Sequence, residues 1–205
     1  MPMRIRTVTS DRISRRSGRV MRAIRRLAVL TFVPFVLLFV TSQAGETDAE
    51  VKLKTGFLFK FLHYVEWPDT ATSENRVDIA VLGERKYYDA LNELKSALGA
   101  TETVKVSFTT PEQGLDDYDV VLIALRRKNE IEEVLGSLDG SPTLTVGDGD
   151  GLADAGVMIS FISVATERGK KVRFEINSKS AKEANIKISS QLLNLAVKVI
   201  GQDGE

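Results

Sequence analysis

Val120-Val121-Leu122-Ile123-Ala124 is an uninterrupted apolar run near the middle of the chain. A strand without polar residues at alternate positions is typical of the centre of a parallel sheet that is covered on both faces. The run Val77–Leu82 predicts a second strand, which ends at Gly83. Residues at helical spacing follow each strand, over Tyr87–Leu98 and over Asn129–Leu138. Two strand–helix–strand units of this kind predict a mostly parallel sheet with helices on both faces.

The last third of the chain has a different pattern. Val157–Ile162 and Lys171–Ile176 predict the two strands of an antiparallel hairpin, joined by a turn over Thr166–Gly169. A short helix is expected over Lys179–Ala184, and a longer one over Ser189–Ile200, where apolar residues fall at helical spacing. The predicted fold class is therefore α/β: a three-layer α/β/α sandwich with a mostly parallel mixed sheet and an antiparallel edge hairpin.

Three further elements complete the predicted sandwich. Val104–Phe108 and Thr143–Val146 predict the strands that follow the two long helices. A helix begins near Ala49 and ends at Trp67, because Pro68 disfavours helix at the residue before it. This helix is apolar around most of its circumference, so we expect it to pack on more than one side, against the sheet and against a second protomer. Trp67 is interpreted as a structural ring under the sheet, with an interface anchor as the alternative.

The beginning of the chain has the composition of a leader. Arginines crowd residues 1–26, and the apolar run Leu27–Val40 that follows is shorter than the roughly 20 residues of a membrane span. Small residues then mark a cleavage site between Ala44 and Gly45. This order predicts a secretory signal peptide over residues 1–44, with Met21 as an alternative start. An uncleaved leader that stays as a membrane anchor is the alternative.

Residues 45–205 are expected to form a single domain, because their number is typical of one. The chain contains no cysteine, which excludes disulfides, a thiol nucleophile and thiolate metal sites. With the arginine-rich leader set aside, acidic residues outnumber basic ones. This balance does not favour nucleic-acid binding, which requires a basic surface.

The glycine-rich stretch Gly147–Asp154 has part of the pattern of a calcium-binding loop. Asp148, Asp150 and Asp154 fill the first, third and seventh places, but the twelfth place is Ile159. An acid that binds the ion with both oxygens normally closes the shell there. The stretch also does not fit the glycine fingerprint of dinucleotide-binding folds. We therefore expect a tight turn, with no metal and no cofactor.

The sequence does not indicate a catalytic centre. His63 is the only histidine, so a metal site would have no second imidazole and a Ser–His pair only one candidate base. Ser189-Ser190 does not lie in a nucleophile elbow and fits a helix N-cap better. We expect the chain not to be an enzyme, with a hydrolase built on His63 or on a carboxylate pair as the alternative.

A periplasmic small-ligand-binding protein of a sensory or uptake system is the alternative function, and the predicted topology indicates where its site would lie. Open α/β sheets bind ligands beyond the carboxyl ends of their strands. The residues that the sequence places at or near these ends are Gly83, Glu84, Gly147 and Asp148, with Ala124-Leu125 and Asn177 nearby.

Several pieces of the chain, spread over nearly all of residues 45–205, carry a family resemblance. They are Lys52–Val65 with Glu66-Trp67-Pro68, Ile79–Gly83, Leu144–Asp148, Gly156–Phe161, Val172–Asn177 and Ile188–Ala196. In this order and spacing they resemble the YfiR family, small periplasmic proteins that hold down a membrane-bound diguanylate cyclase by binding its periplasmic sensory region. The single positions that carry the resemblance, mainly in structural roles, are Trp67, Pro68, Gly83, Gly147, Asp148, Gly156, Asn177, Ser190, Gln191 and Leu192.

The resemblance implies a dimeric periplasmic α/β repressor that lowers cyclic-di-GMP output. The partner it implies is the periplasmic region of an inner-membrane diguanylate cyclase or of another sensor protein. Neither a nucleic acid nor a stable membrane insertion after leader cleavage is expected. Control by disulfide formation, suggested for some relatives, is not available to a chain without cysteine.

Overall fold

The computed structural model describes residues 48–68, 76–167 and 169–201. The helices are α1 (Asp48–Phe61), α2 (Arg85–Ala97), α3 (Lys128–Ser137), α4 (Ser178–Glu183) and α5 (Ser190–Leu193). The strands are β1 (Val65–Glu66), β2 (Val77–Gly83), β3 (Val104–Phe108), β4 (Val120–Ala124), β5 (Leu144–Asp148), β6 (Ile159–Thr166), β7 (Gly169–Asn177), β8 (Lys187–Ile188) and β9 (Lys198–Ile200). The predicted leader and its cleavage site at Ala44 and Gly45 lie outside the described residues. Within the described ranges, no helix has both the length and the apolar character that a bilayer crossing requires.

Seven strands form one sheet in the order β3-β2-β4-β5-β6-β7-β9. Every neighbouring pair is parallel except the hairpin β6–β7. The chain moves from β2 to one side and from β4 to the other, and right-handed crossovers in opposite directions place α2 and α3 on opposite faces. The predicted fold class, a three-layer sandwich with a mostly parallel sheet, is confirmed.

An apolar core lies on each face of the sheet. Helices α1 and α2 cover one face, where Phe61 and Leu91 pack against strand residues such as Leu122. Helix α3 covers the other face, where Val134 packs with Ile123. Since β4 sends alternate side chains into both cores, all of its residues are buried. This double burial is the reason that the strand is apolar at every position.

The first helix is shorter than predicted. It ends at Phe61 and not at Trp67, and a 3-10 turn follows it. Val65 then adopts an extended conformation and pairs with Ile188 in a two-stranded antiparallel sheet. Backbone hydrogen bonding to β8 therefore ends the helical segment before Pro68 can do so.

The predicted helix over Ser189–Ile200 is wrong. Only Ser190–Leu193 is helical, and Lys198–Ile200 forms a strand that pairs in parallel with Glu175–Asn177 of β7. β-branched residues at positions 197, 199 and 200 favour an extended backbone. The Ser178 hydroxyl donates to the Ile200 carbonyl at 2.8 Å and stabilises β9.

The antiparallel hairpin is confirmed, and its position in the sheet differs in one detail from the prediction. Its two strands pair without interruption from Ile159↔Ile176 to Thr166↔Gly169. The strand β9 lies outside the hairpin, but only beside the last residues of β7. As a result β7 is an interior strand at its carboxyl end and an edge strand over the rest of its length.

Candidate functional site

The carboxyl ends of β2 and β4 meet where the strand order reverses, which is the place that the small-ligand hypothesis favours. Gly83 ends β2 with φ +92° beside Ala124. A Cβ atom at Gly83 would lie 2.2 Å from the Ala124 carbonyl oxygen. The glycine is therefore required by a close approach of two backbones, which leaves no room for a ligand between them.

Glu84, the next residue, is held by cations of the chain itself. The Arg126 Nε atom donates to Glu84 Oε1 at 2.8 Å, and the Lys86 ammonium lies 2.5 Å from Oε2. Partial burial raises the pKa of Glu84, but the hydrogen bonds and charges of Lys86 and Arg126 outweigh it, so the pKa lies below its ordinary value. The carboxylate is thus ionised and engaged within the fold.

Asp148, at the carboxyl end of β5, belongs to a buried charge network. Its Oδ1 atom accepts from the Lys54 ammonium at 2.6 Å, and its Oδ2 atom accepts from the Tyr87 hydroxyl at 2.6 Å. Lys54 is 3% exposed and also pairs with Glu50 at 3.0 Å. Glu50 in turn accepts from the Ser163 hydroxyl at 3.0 Å. This network joins α1 to α2, β5 and β6, so Asp148 has a structural role.

The loop after β5 is shaped by the packing of its side chains. A Cβ atom at Gly147 would lie 2.8 Å from the Leu152 side chain. Gly156 has φ +113°, which favours glycine. Asp154 pairs with Lys198 at 2.7 Å, so it neutralises a cation of the chain just as Asp148 does. No group of three histidine, aspartate or glutamate side chains is placed to hold a metal among residues 48–68, 76–167 and 169–201.

Asn177 does not lie at the same end of the strands as Gly83 and Asp148. It ends β7, which runs antiparallel to β6, and its N–H donates to the Met158 carbonyl at 2.8 Å. Its side-chain amide donates to Ala153 at 2.8 Å, and its Oδ1 atom accepts from Ser180 N–H as the N-cap of α4. The predicted group of ligand residues is therefore not brought together at one place.

The remaining residues of the family resemblance also have structural surroundings. The Trp67 indole donates to the Asp119 carbonyl at 3.2 Å and packs against the first core, in agreement with the structural interpretation. Pro68 is half-buried beside it. The Asp119 carboxyl accepts from Asp78 N–H, and burial raises its pKa above the ordinary value despite that hydrogen bond.

The segment around α5 confirms the predicted N-cap. The Ser189 hydroxyl accepts from Leu192 N–H at 3.4 Å, and Leu192 is buried. Ser190 and Gln191 are exposed on the turn. His63 is exposed on the 3-10 turn, where Nδ1 lies 3.1 Å from the Phe59 carbonyl. The histidine has no acid or hydroxyl beside it among the described contacts.

A groove between α1 and β7 was not predicted from the sequence. It has a volume of about 390 Å³ and is lined on one side by Leu53 and Phe57 of α1. On the other side it is lined by residues 170–173 of β7. Leu53 is 49% exposed at its rim. The signal that could have revealed it is the alternation in β7, where Val172 continues the apolar face of Phe174 past the part that the first helix covers and Lys170 ends that face.

One wall of this groove is joined to a cluster of aromatic rings. The ring centroid of Phe61 lies 5.7 Å from that of Phe161 and 5.0 Å from that of Phe174. Phe57, which lines the groove, reaches the same cluster, with its ring centroid 6.2 Å from that of Phe61. Offset and edge-on aromatic pairs of this kind fix the ring positions. The groove opens to solvent, and its lining combines apolar side chains with the charged residues Glu50, Lys170, Lys171 and Arg173.

Comparisons with other proteins give a family and only distant structural likenesses. No curated protein matches this chain. A conserved domain protein from Vibrio cholerae O1 biovar El Tor is similar at 14% identity and a TM-score of 0.48, covering 73% of this chain and 60% of that one. An ABC domain in complex with L-Trp from Streptococcus pneumonia is similar at 16% identity and a TM-score of 0.45, covering 64% and 57%. The chain therefore spans about 60% of the first of these structures.

The family comparison covers most of the described part of the chain. The sequence profile of the YfiR/HmsC-like family matches residues 51–197. The match begins in α1 and ends just before β9, so it includes the other six strands of the seven-stranded sheet, Lys54 and Asp148 of the buried charge network, and Leu53 and Phe57 of the groove. The chain belongs to the YfiR/HmsC-like family.

Proposed function

We propose that this chain is a periplasmic regulatory protein that binds an inner-membrane diguanylate cyclase and represses it, lowering cyclic-di-GMP output. The single observation that supports this most is the family match over residues 51–197. The predicted leader over residues 1–44 supports export. A homodimer, which the resemblance implied, is part of the same proposal.

The state of the polar residues supports a binding role over a catalytic one. At the carboxyl edge of the sheet, Glu84 and Asp148 are each engaged by lysine or arginine side chains of the same chain. Carboxylates neutralised in this way are not poised as an acid and a base. The same engagement gives the small-ligand alternative less support, because its polar groups already have partners.

Repression by a binding protein requires a difference in affinity. The protein must bind the inactive arrangement of its target more tightly than the active one, since equal affinity for both states shifts nothing. A rigid surface is suited to this task, because it does not adapt to both arrangements equally well. The aromatic cluster that Phe57 joins holds one wall of the groove in place in this way.

The proposal is tested by deleting the gene in the producing bacterium and measuring cellular cyclic-di-GMP by mass spectrometry. We expect the nucleotide to rise and the wild-type gene on a plasmid to restore it. A version without residues 1–44 serves as the matched control, because it stays in the cytosol and should fail to restore repression. Unchanged cyclic-di-GMP in the deletion strain would contradict the proposal.

A further inference from the structure

The strand β7 has two unlike sides. Toward β6 it is paired along its whole length, from Gly169 to Ile176. Toward the outside it is paired with β9 only over Glu175–Asn177. Between Gly169 and Arg173, the described residues offer no strand on the outer side. An open stretch of sheet edge therefore borders the groove.

The direction of the backbone groups follows from one hydrogen bond. The Phe174 carbonyl accepts from Val197 N–H at 3.0 Å, so the backbone groups of Phe174 face outward. Successive residues of a strand alternate between its two sides. The N–H and C=O groups of Val172 and Lys170 therefore face outward as well. The outward carbonyl of Val172 is capped by the Arg173 guanidinium at 3.2 Å, a contact that an incoming N–H can replace.

The flank of α1 forms a wall beside this open edge. Leu53 and Phe57 lie one helical turn apart and line the groove together with Val172. A strand added to β7 would send alternate side chains toward this wall. Backbone hydrogen bonds to an open edge give affinity, and pockets for alternate side chains give specificity. The groove thus fits an extended segment with an apolar residue at every second position.

Basic side chains at the open edge of β7 indicate which kind of segment would bind there. Lys170 and Lys171 are exposed and form no ion pair with any described residue, and Arg173 is exposed beside them. Lysines on a sheet edge discourage pairing with a second copy, because identical edges would bring like charges together. The same lysines favour an acidic segment from a different protein.

The described end of the chain lies away from this edge. The strand β9 runs parallel to β7, from Lys198 beside Glu175 to Ile200 beside Asn177. Its last residue, Ile200, therefore lies at the opposite end of β7 from Lys170. The arginine-rich start of the chain carries the same sign of charge as the edge, which disfavours it as an occupant.

We infer that the outer edge of β7 at residues 170–173, with the flank of α1 at Leu53 and Phe57, receives an extended segment of the partner protein as an added strand. The segment carries acidic residues opposite the lysines and apolar residues against Leu53. This inference rests on the proposed function, since the partner is the envelope-exposed part of the repressed enzyme.

Repression in cells tests the inference with matched variants of the full gene in the deletion strain. Leu53→Asp and the pair Lys170→Glu with Lys171→Glu are expected to lose repression, with cyclic-di-GMP close to the level of the deletion strain. Leu98→Asp is the control, because Leu98 is also exposed, at 60%, but follows the end of α2 and does not line the groove. All variants must accumulate in the envelope fraction to the wild-type level. Full repression by both edge variants would overturn the inference and leave the proposed function standing, whereas no rise on gene deletion would overturn the proposed function itself.

A backbone variant separates strand addition from side-chain contact. Proline is tolerated at an edge position whose N–H faces outward, and it removes that donor. Val172→Pro should therefore keep the wild-type thermal midpoint and lose repression. Val172→Ala keeps the N–H and should therefore retain more repression than Val172→Pro. Equal repression by the two variants would overturn strand addition.

Hydrogen exchange by NMR on the purified protein gives an independent readout with a defined probe. The amide protons of Lys170 and Val172 should exchange rapidly in the free protein. Slow exchange of these protons would mean that a second copy or another part of the chain already occupies the edge. That result would overturn the inference. A capped ten-residue peptide of alternating valine and glutamate should slow their exchange. The matched peptide with lysine in place of glutamate should bind at least about tenfold more weakly; equal binding would overturn the charge selection.

Discussion

Two regions of this molecule carry charged side chains, and they differ in whether those charges have partners within the chain. At the carboxyl ends of the parallel strands, Glu84 and Asp148 are each enclosed by cations of the same chain. Along the outer side of β7, Lys170 and Lys171 face solvent beside an open backbone and an exposed Leu53. A charge with an internal partner stabilises the fold, whereas a charge without one is free to meet another molecule. The carboxylates at the strand ends, where fold-based reasoning expects a ligand, are thus structural, and the binding site that we propose lies where sequence reasoning expected only a hairpin.

The largest loss of stability is expected when the ion pair between Asp148 and Lys54 is removed. Asp148→Ala removes one carboxylate partner from the buried Lys54 ammonium, and should lower the free energy of unfolding by about 3 kcal/mol. Urea unfolding followed by the fluorescence of Trp67, the only tryptophan, measures it. Asp150→Ala is the control on the same loop and should cost less than about 0.5 kcal/mol. If both variants were equally stable, Asp148 would be free for a ligand after all.

A smaller loss of stability is expected when a side chain is added at Gly83, where the backbones of two strands lie close together. Gly83→Ala must move the backbone of Ala124 and adopt a positive φ, and should cost roughly 2–3 kcal/mol. Gly99→Ala provides the comparison, because Gly99 has φ +67° with nothing within 4 Å of the added Cβ. That control should cost about 1 kcal/mol from backbone strain alone. Equal thermal midpoints would show that the strands can separate there to admit a ligand.

The ion pairs of Glu84 should give a still smaller, pH-dependent effect. Because the pKa of Glu84 in the folded protein lies below its ordinary value, the stabilisation is present above that ordinary value and is lost as the pH falls through the folded-state pKa. Glu84→Gln should therefore lower the stability by less than about 1 kcal/mol near neutral pH. Urea midpoints of the variant and the wild type should converge on acidification. A difference that grows in acid would have the wrong sign.

The smallest effect on stability is expected at the open edge. Replacing Lys170 and Lys171 by alanine should change the free energy of unfolding by less than about 0.5 kcal/mol, because neither side chain has a described partner. The same double variant should weaken repression in cells. Stability and function are thereby separated at this edge, whereas Asp148→Ala should lose both together. A large loss of stability would mean that these lysines are structural.

The sheet was predictable because its strands carry local signals. The unbroken apolar run of β4 and the alternation of β7 identify their elements without any knowledge of their neighbours. The end of α1 and the strand β9 were not predictable in this way, since each is decided by backbone pairing with a distant strand. Val65 and Val199 become extended because β8 and β7 offer hydrogen bonds to them.

The predicted site residues show the same limit. The sequence correctly placed Gly83, Glu84 and Asp148 at strand ends, but it could not show that Lys54 and Arg126 neutralise the carboxylates. Lys54 lies on a helix far away in the sequence, and nothing in its neighbourhood indicates that it is buried. Asn177 was misplaced relative to the others because the hairpin reverses direction before it. The groove depends on how far α1 covers β7, which only the packing decides.

The long reach of α1 has a consequence for the timing of folding. Its contacts Lys54–Asp148 and Glu50–Ser163 join residues 94 and 113 positions apart, and the sheet is completed by a strand at positions 198–200. Contacts so distant in sequence form late, after the intervening chain is available. The seven-stranded sheet therefore cannot be completed until residues 198–200 have emerged from the ribosome. For the export that we propose, that delay leaves a time window in which the chain can be threaded through a narrow translocation channel before it folds.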